Sequence, residues 1–131
     1  MSLINIVWPE EEADYKVVQL NCNQESRILL GTPWKPQEFL HGFLLRKFLN
    51  EQRISYESQY GDSSGELIPQ LSGEQYEITG MGKARIVPEI KQVEFYGSSG
   101  DYRISLNWDQ LYQLQKEQPG WRFRFTRPRF F

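Results

Sequence analysis

The sequence predicts an α+β fold, a largely antiparallel sheet of about six to eight strands with one long helix and one short helix. Two observations carry this. Short segments alternating apolar and polar residues recur along the chain, the period of two that a half-buried strand requires. One stretch, from Pro36 to Glu51, instead repeats its apolar residues at helical spacing. Short polar connections between the strands favour antiparallel neighbours, and the alternation implies one buried and one wet sheet face. The pattern leaves room for a strongly bent sheet approaching a half-barrel. At 131 residues the chain reads as a single domain, 1–131. A chain of that size buries about two thirds of its unfolded surface without needing a disulfide or a metal.

The elements follow in order. Leu3 to Trp8 reads as a strand stopped by Pro9, and Glu10 to Asp14 as an acidic connection. Tyr15 to Leu20 and Arg27 to Leu30 read as the next two strands, joined by turn formers. Together the three suggest an antiparallel meander. The long helix is expected over about 36–51. Pro36 suits its first position, and Phe39, Leu40, Phe43, Leu44 and Phe48 form its apolar stripe. Arg46 and Lys47 are expected near its C-terminal end, complementing the dipole. Arg53 to Tyr60 alternates as a strand. Residues 61–75 are polar and contain Gly61, Gly65, Pro69 and Gly73, the composition of a long flexible loop.

Tyr76 to Thr79 and Ala84 to Tyr96 read as strands, with Pro88 implying an edge position or a bulge. Gly97 to Asp101 is a hairpin-type connection. Tyr102, Ile104, Leu106 and Trp108 alternate with Arg103, Ser105 and Asn107, the cleanest strand pattern in the chain. A short helix is expected over about 109–117, capped by Asn107 or Asp109, with Leu111 and Leu114 turned inward. Trp121, Phe123 and Phe125 alternate with Arg122 and Arg124 as a last strand, ended by Pro128. The two halves echo each other weakly in element order, but their residue identity is poor.

Composition excludes several classes. Net charge is −2, so no global basic field draws nucleic acid. Cys22 is the only cysteine, which rules out an intramolecular disulfide and suits a cytoplasmic protein. No apolar run reaches the roughly 20 residues of a membrane span. The first eight residues have neither the basic leader nor the cleavage site of a secretory signal.

The possible chemical motifs are weak. Gly80-Met-Gly-Lys83 lacks the spacing and the following Ser/Thr of a phosphate loop and reads as a turn between strands. Cys22, in a polar turn, and His41, on a helix, are not placed together as a nucleophile and its base. One Cys and one His cannot build a zinc site of the usual N/S ligands. Glu10, Glu11, Glu12 and Asp14 lack the alternating spacing and glycine of a cation loop, and read as solvated acids. The acids Glu89 and Glu94 have no assignable geometry. No catalytic residue, cofactor or metal is implied.

The C-terminal stretch stands out. Residues 121–131 hold four Arg, four Phe, one Trp and no acid, leaving eleven Lys/Arg against seventeen Asp/Glu elsewhere, a balance of −6. Two readings compete for 121–125: an ordinary last strand with rings inward and arginines outward, pairing with surface acids, or a docking segment. The basic-aromatic tail, 126–131, favours docking, because Phe130 and Phe131 lie beyond the strand that Pro128 stops. The candidate partner-binding residues are Trp121, Arg122, Arg124, Arg127, Arg129, Phe130 and Phe131. Arginine and aromatic residues are enriched at protein–protein hot spots. The leading expectation is therefore a non-catalytic accessory module docking a protein partner with an acidic, apolar surface. The second is a single-stranded nucleic-acid-binding protein, its arginines on phosphates and its rings under bases. The third is a small-ligand-binding protein with an aromatic cavity lined by residues such as Tyr56, Tyr60, Tyr76 and Tyr96. A homo-oligomer is compatible with all three. The Gln-rich, aromatic composition resembles that of many small bacterial proteins, a likeness that transfers no site.

Overall fold

The computed structural model describes residues 3–22, 24–34, 41–53, 57–60, 67–70, 76–99 and 104–126. The fold is α+β. Six strands form one mixed sheet: β1 (Asn5–Ile6), β2 (Ala13–Cys22), β3 (Glu25–Gly31), β6 (Tyr76–Val87), β7 (Gln92–Tyr96) and β10 (Arg122–Thr126), in the spatial order β1-β3-β2-β6-β7-β10. Two small ribbons accompany it, β4 (Glu57–Tyr60) with β5 (Leu67–Gln70), and β8 (Ser98–Ser99) with β9 (Ile104–Ser105). The described helices are α1 (His41–Glu51) and α2 (Trp108–Glu117), with a one-turn 3-10 helix at Pro88–Ile90.

The expected antiparallel sheet is corrected at both margins. The three central pairings are antiparallel, but β1 runs parallel to β3 and β10 parallel to β7. Each margin has a connection long enough to carry the chain over its neighbours. The segment after β1 passes beyond β3 to begin β2, so these strands do not form a meander. Between β7 and β10 the chain makes a crossover that includes α2, the kind of connection parallel neighbours need.

The sheet has two cores because alternate residues point to opposite faces. On one face Tyr15, Val17, Ala84, Ile86, Val93 and Phe95 pack with Leu111 and Leu114 of α2. On the other, Val18, Leu20, Cys22 and Met81 pack with Leu44, Leu45, Phe48 and Leu49 of α1. A bulge keeps this division intact. Gln19 is paired with Gly80 but Leu20 with Ile78, leaving Thr79 as the extra residue. The shift returns Ile78 to the α1 side, where it packs with that core.

The two margins of the sheet meet. Laid flat, six strands would separate the outer pair by about 24 Å. Yet Trp8, just beyond β1, stacks on Trp121, just before β10, with ring centroids 3.9 Å apart and planes 13° apart. The sheet therefore curls around α2. The Ile4 N–H donates to Glu117 Oε1 at 2.7 Å, and Trp8 Nε1 donates to Gln118 Oε1 at 3.4 Å, so the N-terminal strap is tied to the end of the same helix.

Other expectations change. α1 is described from His41; the predicted start at Pro36, with Phe39 and Leu40, lies outside the described residues. Its last turn carries no basic residue, so Arg46 and Lys47 fall too early to serve the dipole as expected. Tyr76 to Val87 is one continuous strand, and the predicted Ala84–Tyr96 strand is two, folded back at Pro88. Lys91 takes the left-handed conformation there, φ 49°. Part of the predicted loop 61–75 is strand β5, and the rest lies outside the described residues. The alternation from Tyr102 to Trp108 gives only two strand residues among those described, because Asn107 caps α2 and Trp108 begins it.

Gly80 and Gly82 explain where that segment goes. They sit within β6 rather than in a turn. A Cβ on Gly82 would come within 2.6 Å of Leu106 Cγ, and one on Gly80 within 2.5 Å of the Asn107 N. Chain 104–108 thus lies directly against a strip of bare backbone. Gln19, fully buried, locks it there. Its side-chain amide donates to the Asn107 carbonyl at 3.0 Å and to Gln110 Oε1 at 2.6 Å, and its oxygen accepts from the Asn107 N–H at 2.8 Å. The cap follows as predicted, the Gln110 N–H donating to Asn107 Oδ1 at 3.3 Å.

Candidate interaction surface

The last strand divides its residues between two environments. Phe123 and Phe125 turn toward the α2 side, and Trp121, just before the strand, joins them. Phe125 meets Tyr112 of α2 edge-on at 4.8 Å and Trp108 at 6.2 Å; Phe95 stacks with both phenylalanines. These rings are used within the fold, as the ordinary-strand reading of 121–125 requires. Arg122, Arg124 and Thr126 point the other way and are exposed.

Strand register places the arginines in a charged lattice. Directly paired residues share a face. One row runs Asp14–Arg85–Glu94–Arg124 across β2, β6, β7 and β10. The next runs Lys16–Lys83–Tyr96–Thr126, and a third carries Gln92 and Arg122. In the first row the signs alternate. Arg85 binds Glu12 at 2.6 Å and Asp14 at 3.3 Å. The hydroxyl of Tyr96 donates to Asp14 Oδ1 at 2.8 Å. Burial, then this bond and the charges of Asp14 and Glu94, push the Tyr96 phenol up to about 12, with Arg85 opposing. Thr126 Oγ1 donates to Glu94 Oε2 at 2.5 Å. Arg122 and Arg124 form no ion pair with any described residue. A shallow depression of about 360 Å³ lies beside them, lined by Gln92, Arg122, Phe123 and Arg124.

The strand also has an open edge. Among the described residues β7 is its only strand neighbour, and at its start Trp8 packs against Trp121 and Phe123. The Arg122 N–H donates to the Lys91 carbonyl at 2.7 Å, which fixes the alternation. Arg122, Arg124 and Thr126 direct their backbone groups at β7, while Phe123 and Phe125 direct theirs outward.

Of the seven predicted partner-binding residues, Trp121 is half-buried, and Arg122 and Arg124 are exposed on one face. Arg127, Arg129, Phe130 and Phe131 lie outside the described residues. Sequence reasoning gave Asp14, Lys83 and Tyr96 other roles and Arg85 none, and did not place these four on the face of Arg124. Their spacing by two within strands was visible, but the register that lines them up with Arg124 was not.

Other candidates are dispersed. His41 is buried, its Nε2–H donating to the Gly82 carbonyl at 2.8 Å. Cys22 pairs with Tyr76, whereas Gly82 pairs with Val17. Five residues of strand, about 16 Å, separate those levels, so thiol and imidazole are not partners. Burial raises the Cys22 thiol, with a smaller opposing effect from Arg27. The acidic segment is engaged internally: Glu12 and Asp14 hold Arg85, and the Glu11 carbonyl accepts from the Tyr15 hydroxyl at 2.6 Å. Among the described residues no cluster of His, Cys, Asp or Glu could hold a metal, and no helix is long and apolar enough to cross a membrane. Tyr56 lies outside the described residues, and Tyr96 serves the charged face. A groove of about 350 Å³ does exist elsewhere, between α1 and the β1–β3 margin, lined by Ile6, Tyr15, Leu30, Leu44 and Phe48 among others. No protein-family model matches the chain, and no curated protein is significantly similar to it.

Proposed function

We propose that the protein is a non-catalytic accessory module that docks a protein partner through the arginine face of β10. The observation that supports this best is the contrast in pairing among neighbouring cations. Arg85 is held by two acids, whereas Arg122 and Arg124 are exposed and without an ionic partner among the described residues. Arginine offers planar, multi-donor recognition of carboxylates. Arg127 and Arg129 add like charge in the sequence immediately after the strand. The complementary surface is acidic, and its attraction steers encounter and weakens with salt.

Nucleic-acid binding has less support, since Trp121, Phe123 and Phe125 are half-buried with their rings engaged by the core and by one another, which disfavours stacking on bases. The test is affinity capture from the source cells with the intact chain and with R122E/R124E, at low and high salt. Partners captured by the intact chain alone, and released by salt, are the expected result. Equal recovery by both proteins would refute the proposal.

A further inference from the structure

We infer that the partner segment binds as an added strand on the free edge of β10, and that it alternates acidic with apolar residues. This rests on the docking reading above and specifies its occupant. Three features converge. The outward N–H and C=O groups of Phe123 and Phe125 form a two-residue template of backbone unpaired among the described residues, the requirement for strand addition. Arg122 and Arg124 stand two residues apart on one face of that template. A strand laid beside it places its own alternate residues opposite them, where opposite charges attract. The intervening residues of the added strand fall on the other face, beside Phe123, Phe125 and Tyr112, which is 37% exposed. Acids must therefore recur at every second position, with apolar residues between.

Charge selects this occupant over a second copy of the chain. Antiparallel pairing of two β10 strands about Arg124 would set that arginine against its equivalent. It would also leave Arg122 without an acid opposite. Like charges directly opposed destabilise a strand pair. The arginines thus repel self-association at the edge they offer to an acidic strand.

The test uses the full chain and capped synthetic hexapeptides. One alternates glutamate and valine. A second has the same composition with the three glutamates in one block. A third is the alternating peptide N-methylated at the amides that would face β10. The alternating peptide should bind about tenfold tighter than the block peptide, the ratio expected of two favourable cross-strand charge pairs. N-methylation should abolish binding at unchanged charge. Hydrogen exchange at the Phe123 and Phe125 amides should slow only with the unmodified alternating peptide. Equal affinity for the alternating and block peptides, or indifference to N-methylation, would overturn strand addition. R122E/R124E separates the two proposals. If it loses natural partners while the peptides fail to discriminate, docking stands and strand addition falls. Binding of natural partners and of all peptides unchanged by R122E/R124E would overturn both. An R122K/R124K variant should retain most of the peptide binding and so show that charge at these positions, rather than the substitution itself, decides.

Discussion

The two faces of the sheet where it reaches β10 share a backbone but little else. On one, rows such as Tyr15–Ala84–Phe95–Phe125 are closed over by α2. On the other, the row Asp14–Arg85–Glu94–Arg124 is left exposed or half-buried. A shift of one residue in register would exchange these faces, so the packing that stabilises the fold also fixes which cations are displayed. Stability and, under the proposed function, recognition therefore fall to alternate residues of one strand. Substitutions on the first face should lower stability with little effect on docking, and substitutions on the second should do the reverse.

The largest stability effect belongs to the covered face. Leu111→Ala should cost about 3 kcal/mol, since it empties a fully buried site beneath the sheet; urea unfolding measures it. Gln19→Leu should cost about 2 kcal/mol, because it strands the half-buried Asn107 N–H and takes a donor from Gln110 Oε1, while the Asn107 carbonyl keeps the Leu111 N–H. The same titration checks it, and a neutral result would mean that chain 104–108 is held by Leu106 and the glycines alone.

Effects on the open face should be smaller. Tyr96→Phe should cost about 1 kcal/mol, the worth of its bond to Asp14. It should also change the alkaline limb. The folded phenol titrates near 12 rather than 10, so folding favours its neutral form. That contribution is complete below pH 10 and is lost as pH rises from 10 toward 12. Stability of the parent chain should fall across this window, and Y96F should fall less. The smallest effect is expected for R122A and R124A, within about 0.5 kcal/mol of the parent. A loss as large as that of Leu111→Ala would mean that the arginines are structural and that both faces of β10 hold the fold.

Much of this architecture was legible in the sequence where one strong local cause decides. Asn107 capped α2 and Leu111 with Leu114 faced inward, as their types and spacing required. The alternation of Trp121 to Phe125 specified both faces of β10. Long-range pairing was not legible. Nothing local distinguishes a strand that joins its neighbour antiparallel from one that crosses over α2 to join parallel. Gly80 and Gly82 read as a turn because their need is for close approach by Leu106 and Asn107, some 25 residues later. The best alternating segment, 102–108, owed its apolar periodicity partly to residues that pack against β6 and partly to the first residue of a helix. For the interaction surface, the two arginines could be named, but which cations already have acids depends on strand register.

The stacked indoles have a consequence for how the chain matures. Trp8 leaves the ribosome roughly 110 residues before its ring partner Trp121. Contacts of such separation form late, after the closure entropy of the intervening chain has been met. Throughout synthesis the strap from Ile4 to Trp8 waits unfastened, and the curl of the sheet is completed only when β10 arrives beside β7. A chain stopped before residue 122 therefore lacks both the strand that carries Arg122 and Arg124 and the curl that Trp121 helps to close.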